Sequence, residues 1–192
     1  MKKLILLLLF IPLVFSCGKS INKYKNGKPD GLWIDYYKNG QIEWERTYTN
    51  GNLDGLSKWY YSNGQLKSET PYLTDGFNSY RDGLCKSFYE NGYLKTEGMY
   101  KIKINPGDKT STENKEGLWK EYNENGQLDE EITYENGIMN GLFRKYKDGR
   151  LFIEGPWKNG KAEGNQRAYN PDGSLFGVRT YKNGELVNQI KF

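Results

Sequence analysis

The chain has 192 residues, with 28 basic against 24 acidic side chains and a net charge of +4. Twenty-three glycines, sixteen tyrosines and a hydrophobic share of 36% exclude one thick aliphatic core, and an aromatic share of 15% excludes a disordered chain. Histidine is absent; without the usual general base and the commonest neutral metal ligand, histidine triads and zinc clusters are excluded.

Lys2 and Lys3 open the chain, Leu4 to Phe15 is a nearly continuous apolar run broken by Pro12, and Val14-Phe15-Ser16-Cys17 closes it. Twelve helical residues span about 18 Å, well short of a hydrocarbon layer roughly 30 Å thick, so residues 1–16 read as a signal peptide and not as a membrane span. The closing tetrapeptide resembles a bacterial lipobox, although Phe15 is bulkier than usual and Val14 replaces the commoner leucine. That resemblance implies that Cys17 is lipidated and heads the mature chain, with residues 17–23 as anchor and tether. The alternative is an ordinary signal peptide with a cysteine near its end by chance. A doubly acylated anchor is stable, so the expectation is an exported protein held in the cell envelope, at the outer membrane if the host has one. Loss of Lys2 and Lys3 lowers the net charge to +2 and leaves no basic stretch, which argues against a nucleic-acid partner. Cys85 is then the only thiol of the mature part besides the anchor, so no intrachain disulfide framework is available.

From residue 24 to residue 192 the chain repeats itself. The motif Gly-Leu-Trp-x-x-Tyr-x-x-Asn-Gly aligns six units, beginning at Gly31, Gly55, Gly83, Gly117, Gly141 and Gly164. Such a period implies an array of small units, none of which buries a core alone. Leucine follows the leading glycine in five units. The fifth place is always aromatic: Tyr36, Tyr60, Phe88, Tyr122, Tyr146 and Tyr169. Asn39-Gly40, Asn63-Gly64, Asn91-Gly92 and Asn125-Gly126 then mark turns, with Asp148-Gly149 and Asp172-Gly173 as equivalents, and such pairs predict two-residue hairpins in which both residues take positive φ.

A two-residue loop fixes the register. It sets Lys58 opposite Glu69, Lys86 opposite Glu97 and Lys120 opposite Glu131, three opposite-charge pairs in equivalent places. Ile34 opposite Glu45 and Arg167 opposite Val178 depart from the pattern. The fifth unit is one residue short before its glycine, which offsets Arg144 from Glu154 and predicts a bulge or an altered turn there. Alternation assigns the leucine, the Lys/Glu pair and the fifth-place aromatic to one face, and Trp33, Tyr37, Ile42, Trp44 and Tyr48 to the other. The fold class expected is all-β: an elongated, twisted, single-layer antiparallel meander of tandem hairpins stabilised by stacked aromatics.

The pattern, clearest in Gly31-Leu32-Trp33-Ile34-Asp35-Tyr36-Tyr37-Lys38-Asn39-Gly40 and in Gly117 to Gly126, resembles the bacterial variant of the MORN repeat over residues 24 to 187. The resemblance implies a hairpin array serving as a protein or lipid interaction surface. Many bacterial proteins with such repeats are labelled antitoxins of the YwqK type, and no catalytic residues come with that label.

Glu45, Glu69, Glu97, Glu131 and Glu154 recur once per unit, which fits a building role better than catalysis; the chain reads as a non-enzyme without cofactor or metal. Cys85 stands where Trp33 and Trp119 stand in their units and reads as a small apolar residue. Two irregular stretches, 73–82 and 101–115, are expected as extra loops on one edge, either tolerated insertions or a site. Trp33, Trp44, Trp59 and Trp119 form the candidate binding surface. The reading is a membrane-anchored, non-catalytic scaffold for an envelope protein; the alternatives are a glycan-binding module, which needs these rings exposed in a row, and an envelope-located immunity protein.

Overall fold

The computed structural model describes residues 21–104 and 110–192; the expected signal segment, Cys17 and most of the tether lie outside them. Seventeen strands follow in chain order: β1 (Lys23–Lys25), β2 (Lys28–Tyr36), β3 (Ile42–Thr49), β4 (Asn52–Leu53), β5 (Gly55–Tyr60), β6 (Leu66–Thr74), β7 (Ser79–Arg81), β8 (Gly83–Phe88), β9 (Leu94–Ile104), β10 (Ser111–Tyr122), β11 (Leu128–Glu135), β12 (Ile138–Lys147), β13 (Arg150–Lys158), β14 (Lys161–Ala162), β15 (Gly164–Tyr169), β16 (Leu175–Lys182) and β17 (Glu185–Lys191). Each is antiparallel to its neighbour, and the whole is one open meander, as the repeats predict. Because β4 and β5 share β3, β7 and β8 share β6, and β14 and β15 share β13, the strands occupy fewer lines than their number. At roughly 4.8 Å per line the sheet is about 60 Å across. Asn22 covers the first edge: its Oδ1 accepts the Ile34 N–H at 2.7 Å and its Nδ2 donates to the Ile34 carbonyl at 3.0 Å, standing in for a neighbouring peptide group.

The two edges turn by different chemistry. On one, Asn26-Gly27, Asn50-Gly51, Asn136-Gly137, Asn159-Gly160 and Asn183-Gly184 have positive φ at both residues and make two-residue turns. The acid before the leading glycine of the unit that the turn closes secures several of them: Glu116 accepts the Asn136 N–H at 3.0 Å and Glu163 the Asn183 N–H at 2.7 Å.

The opposite edge corrects the sequence reading. Asn39, Asn63, Asn91, Asn125 and Asp172 do not have positive φ; only the glycine after each does. Tyr37 N–H bonds the Gln41 carbonyl and Gly40 N–H bonds the Tyr37 carbonyl, which closes a three-residue loop. The loop moves the register by one residue. A bulge between Asp35 and Tyr36, repeated in every unit, moves it back. The two shifts cancel, so the expected pairs Lys58–Glu69, Lys86–Glu97 and Lys120–Glu131 are present although the turn is of another kind. The bulge also pairs Ile42 with Tyr36, which takes Ile42 off the tryptophan face where simple alternation places it.

The core is a thin layer on that tryptophan face. Trp119 (6% exposed), Cys85, Ile132, Ala162 and Ser57 are its buried side chains. Trp119 lies flat over Gly98, where an added Cβ would come within 2.1 Å of the indole. Two stretches expected as loops contain strand: 79–81 pair with β6, and β9 and β10 run on together as far as Ile104 opposite Ser111.

Candidate functional site

Three rows cross the strands. The first is electrostatic. The register runs continuously through Glu45, Lys58, Glu69, Lys86, Glu97, Lys120, Glu131, Arg144, Glu154 and Arg167, alternating in charge at every step. Ile34 and Val178 end it. Lys86 reaches Glu69 at 3.9 Å, and Arg144 reaches Glu131 at 3.3 Å and Glu154 at 3.4 Å. Most of these carboxylates also accept a tyrosine hydroxyl from the following unit: Tyr60 to Glu45 and Tyr122 to Glu97 at 3.0 Å, Tyr146 to Glu131 at 2.9 Å, Tyr169 to Glu154 at 2.8 Å. Burial and these carboxylates hold the Tyr60 hydroxyl well above the ordinary phenol range and push Tyr122 up to about 12. The recurring glutamates are thus tied into the ladder that joins unit to unit.

The second row holds the tryptophans, which do not form one exposed line. Trp33 and Trp119 occupy equivalent places in the same kind of nest. Trp33 packs edge-on against Tyr24 and Tyr48, Trp119 against Tyr100 and Tyr134, and each indole N–H donates to a backbone carbonyl at 3.1 Å, that of Lys23 or Met99. Trp44 and Trp59 are direct cross-strand partners and clasp the Arg46 guanidinium, 4.2 and 4.3 Å from their centroids. Of the four, only Trp59 is exposed, at 37%. Cys85 lies buried at the equivalent place of the third unit, and burial pushes its thiol pKa up, which suits a packing residue. Among the described residues no group of three or more cysteine, aspartate or glutamate side chains is placed to hold a metal ion.

The third row was not singled out as a site from the sequence. Leu56, Leu84, Met99, Leu118 and Leu142 lie beside the charge ladder, between 36% and 47% exposed. Pro71, Met99, Thr133 and Pro156 stand opposite the four leucines, so the row is apolar or nearly so over several units. The leucine period was visible; that it stays in solvent was not, because alternation names a face without saying whether anything covers it.

The two irregular stretches meet. Arg81 of β7 forks the Glu113 carboxylate of β10, with Nε to Oε1 at 2.7 Å and Nη2 to the same oxygen at 2.5 Å, and its guanidinium lies 3.7 Å over the Tyr100 ring. This bracket ties the extended β9–β10 hairpin to the preceding unit.

A family model described as the MORN repeat variant matches residues 29–50, 53–73, 81–101, 115–136 and 162–183, together more than half of the chain. The unit left out begins at Gly141, the one that is a residue short. No curated protein matches the chain.

Proposed function

The chain belongs to the MORN repeat variant family, and from that premise we propose that it is a non-catalytic scaffold which binds a protein partner along the leucine row while anchored in the bacterial cell envelope through Cys17. The observation that carries the reading is the exposed row of Leu56, Leu84, Met99, Leu118 and Leu142, an apolar strip on a face whose charged neighbours alternate in sign along the ladder. Strips of this kind mark contact sites. The finer assignments are part of the proposal: the bacterial lipoprotein draws on the Lys2 to Cys17 segment, and the YwqK type on the repeat resemblance alone. A glycan reading has less support, since Trp33 and Trp119 are packed by tyrosines and Trp44 is only partly exposed.

The test is crosslinked capture from detergent-solubilised membranes with a C-terminally tagged full-length chain. One protein enriched by the native chain and lost with Leu84→Lys/Leu118→Lys supports the reading. Retention of the same protein by that variant contradicts the leucine row as the contact. Cys17→Ala is expected to leave the membrane fraction; a variant that stays there contradicts the anchor.

A further inference from the structure

The tryptophan face changes character toward the last units. In the first three, the sixth place is tyrosine, and Tyr37, Tyr61 and Tyr89 reach over to the next unit and donate their hydroxyls to the carbonyls of Tyr60, Phe88 and Tyr122 at 2.7–2.8 Å. The bulge lysines Lys67 and Lys95 stand over Tyr61 and Tyr89. The later sixth places are Asn123, Lys147 and Asn170, and the bulge residues of the last two units are Phe152 and Phe176, 40% and 46% exposed. Among the described residues no hydroxyl reaches the Tyr169 carbonyl. The row that begins with Trp44 and Trp59 ends there in Ile153, Ala168, Gly177 and Lys191. The sixth-place tyrosines are missing where Ala168 and Gly177 leave the sheet floor small, with Phe152 and Phe176 beside it.

What remains is a half-open cavity of about 330 Å³, lined by Phe152, Phe176, Ala168 and Gly177 among others. Its charged lining residues are all basic. Arg179 and Lys191 lie in the rows that face it, and neither closes an ion pair among the described residues. We propose that this cavity binds an aromatic ring that carries a carboxylate. The ring takes the space left by the missing tyrosines, against Phe152 and Phe176 and over Ala168 and Gly177, and the carboxylate meets Arg179 with Lys191 beside it. Such a ligand is either a free aromatic acid or the C-terminal aromatic residue of a polypeptide. The site is on the face opposite the leucine row and stands independently of the scaffold reading.

The experiment is titration calorimetry of the full chain, held in detergent, with N-acetyl-L-tyrosine, N-acetyl-L-tyrosinamide and the peptide Ala-Ala-Ala-Tyr with a free carboxylate. The acid is expected to bind at least about tenfold more tightly than the amide, the ratio of one charge-assisted contact. Arg179→Gln is expected to erase that ratio. Ala168→Leu, which fills the floor and is checked for native melting, is expected to abolish binding of both. A tenfold gain for the peptide over N-acetyl-L-tyrosine assigns the source to a polypeptide terminus, and equal affinity assigns it to the free acid. Equal affinity for acid and amide, no heat with the native chain, or unchanged binding by a folded Ala168→Leu overturns the proposal.

Discussion

Arg144 lies opposite Glu154 and not opposite Ile153, although the Asp148-Gly149 turn of its hairpin is the one two-residue turn on that edge. The other five units close on three residues and recover the register with a bulge; the fifth lacks the extra loop residue but keeps the bulge, so its shift remains. That shift returns a cation to the ladder, where it touches two carboxylates. Arg144→Met is therefore expected to cost about 1 kcal/mol in urea denaturation. Lys58→Met, whose lysine closes no ion pair within 4 Å among the described residues, should cost less, and the difference should shrink at 1 M salt. Equal losses at both positions would mean that the ladder contributes through register alone.

The turn asparagines separate by edge. Asn91 accepts the Tyr93 N–H at 3.1 Å and donates to the Glu124 carbonyl of the next unit's turn at 2.8 Å, whereas Asn136 is chosen for its positive φ. Asn91→Gly removes two hydrogen bonds and is expected to lower stability by about 1–2 kcal/mol. Asn136→Gly keeps the backbone shape and is expected to stay within about 0.5 kcal/mol of the native chain. Thermal melts of the two variants decide it, and the reverse order would refute the turn assignment.

Trp119 and Gly98 should behave as a coupled pair. Gly98→Ala puts a methyl within 2.1 Å of the indole and is expected to cost about 2–3 kcal/mol. Trp119→Ala is expected to cost about 3–5 kcal/mol. In the Trp119→Ala background the glycine substitution should be nearly silent, and additive losses would show that the methyl is excluded by something other than the ring.

The hairpin array and three pairs of the charge ladder, Lys58–Glu69, Lys86–Glu97 and Lys120–Glu131, were legible in the chain, because Gly, Asn-Gly and the Lys/Glu spacing recur often enough to fix one register; the Arg144–Glu154 pair, which spacing alone offsets by one, was not. The manner of turning was not. A three-residue loop with a bulge and a two-residue loop without one leave Lys58 opposite the same Glu69, so the register was right while the φ of Asn63 was wrong. The φ values separate the two cases, and sequence spacing does not carry them. Candidate sites were less legible still. Trp119 and Leu118 are adjacent residues on opposite faces, and ring size alone points to the tryptophan as the contact surface, yet two tyrosines and a glycine bury the indole while Leu118 stays exposed.

Alkaline pH should loosen the ladder. The Tyr122 hydroxyl, whose ordinary pKa is 10, is raised to about 12 by burial first and by its hydrogen bond to Glu97 second. The folded state holds this proton more tightly than the unfolded chain, so its contribution is complete below pH 10 and is lost as pH rises through about 12. Denaturation midpoints are expected to fall across that window, and Tyr122→Phe should fall less steeply. An unchanged slope in the variant would remove Tyr122 from the account.

The most direct test of the scaffold reading is the affinity of the purified partner, once captured, for the native chain and for Leu84→Lys/Leu118→Lys, with Phe77→Lys as an exposed position away from the row. The expected result is a loss of at least about tenfold for the double variant and none for Phe77→Lys, since two lysines would place unpaired charges in an apolar contact. Native affinity in a folded double variant would contradict the claim that the leucine row is where this protein meets its partner.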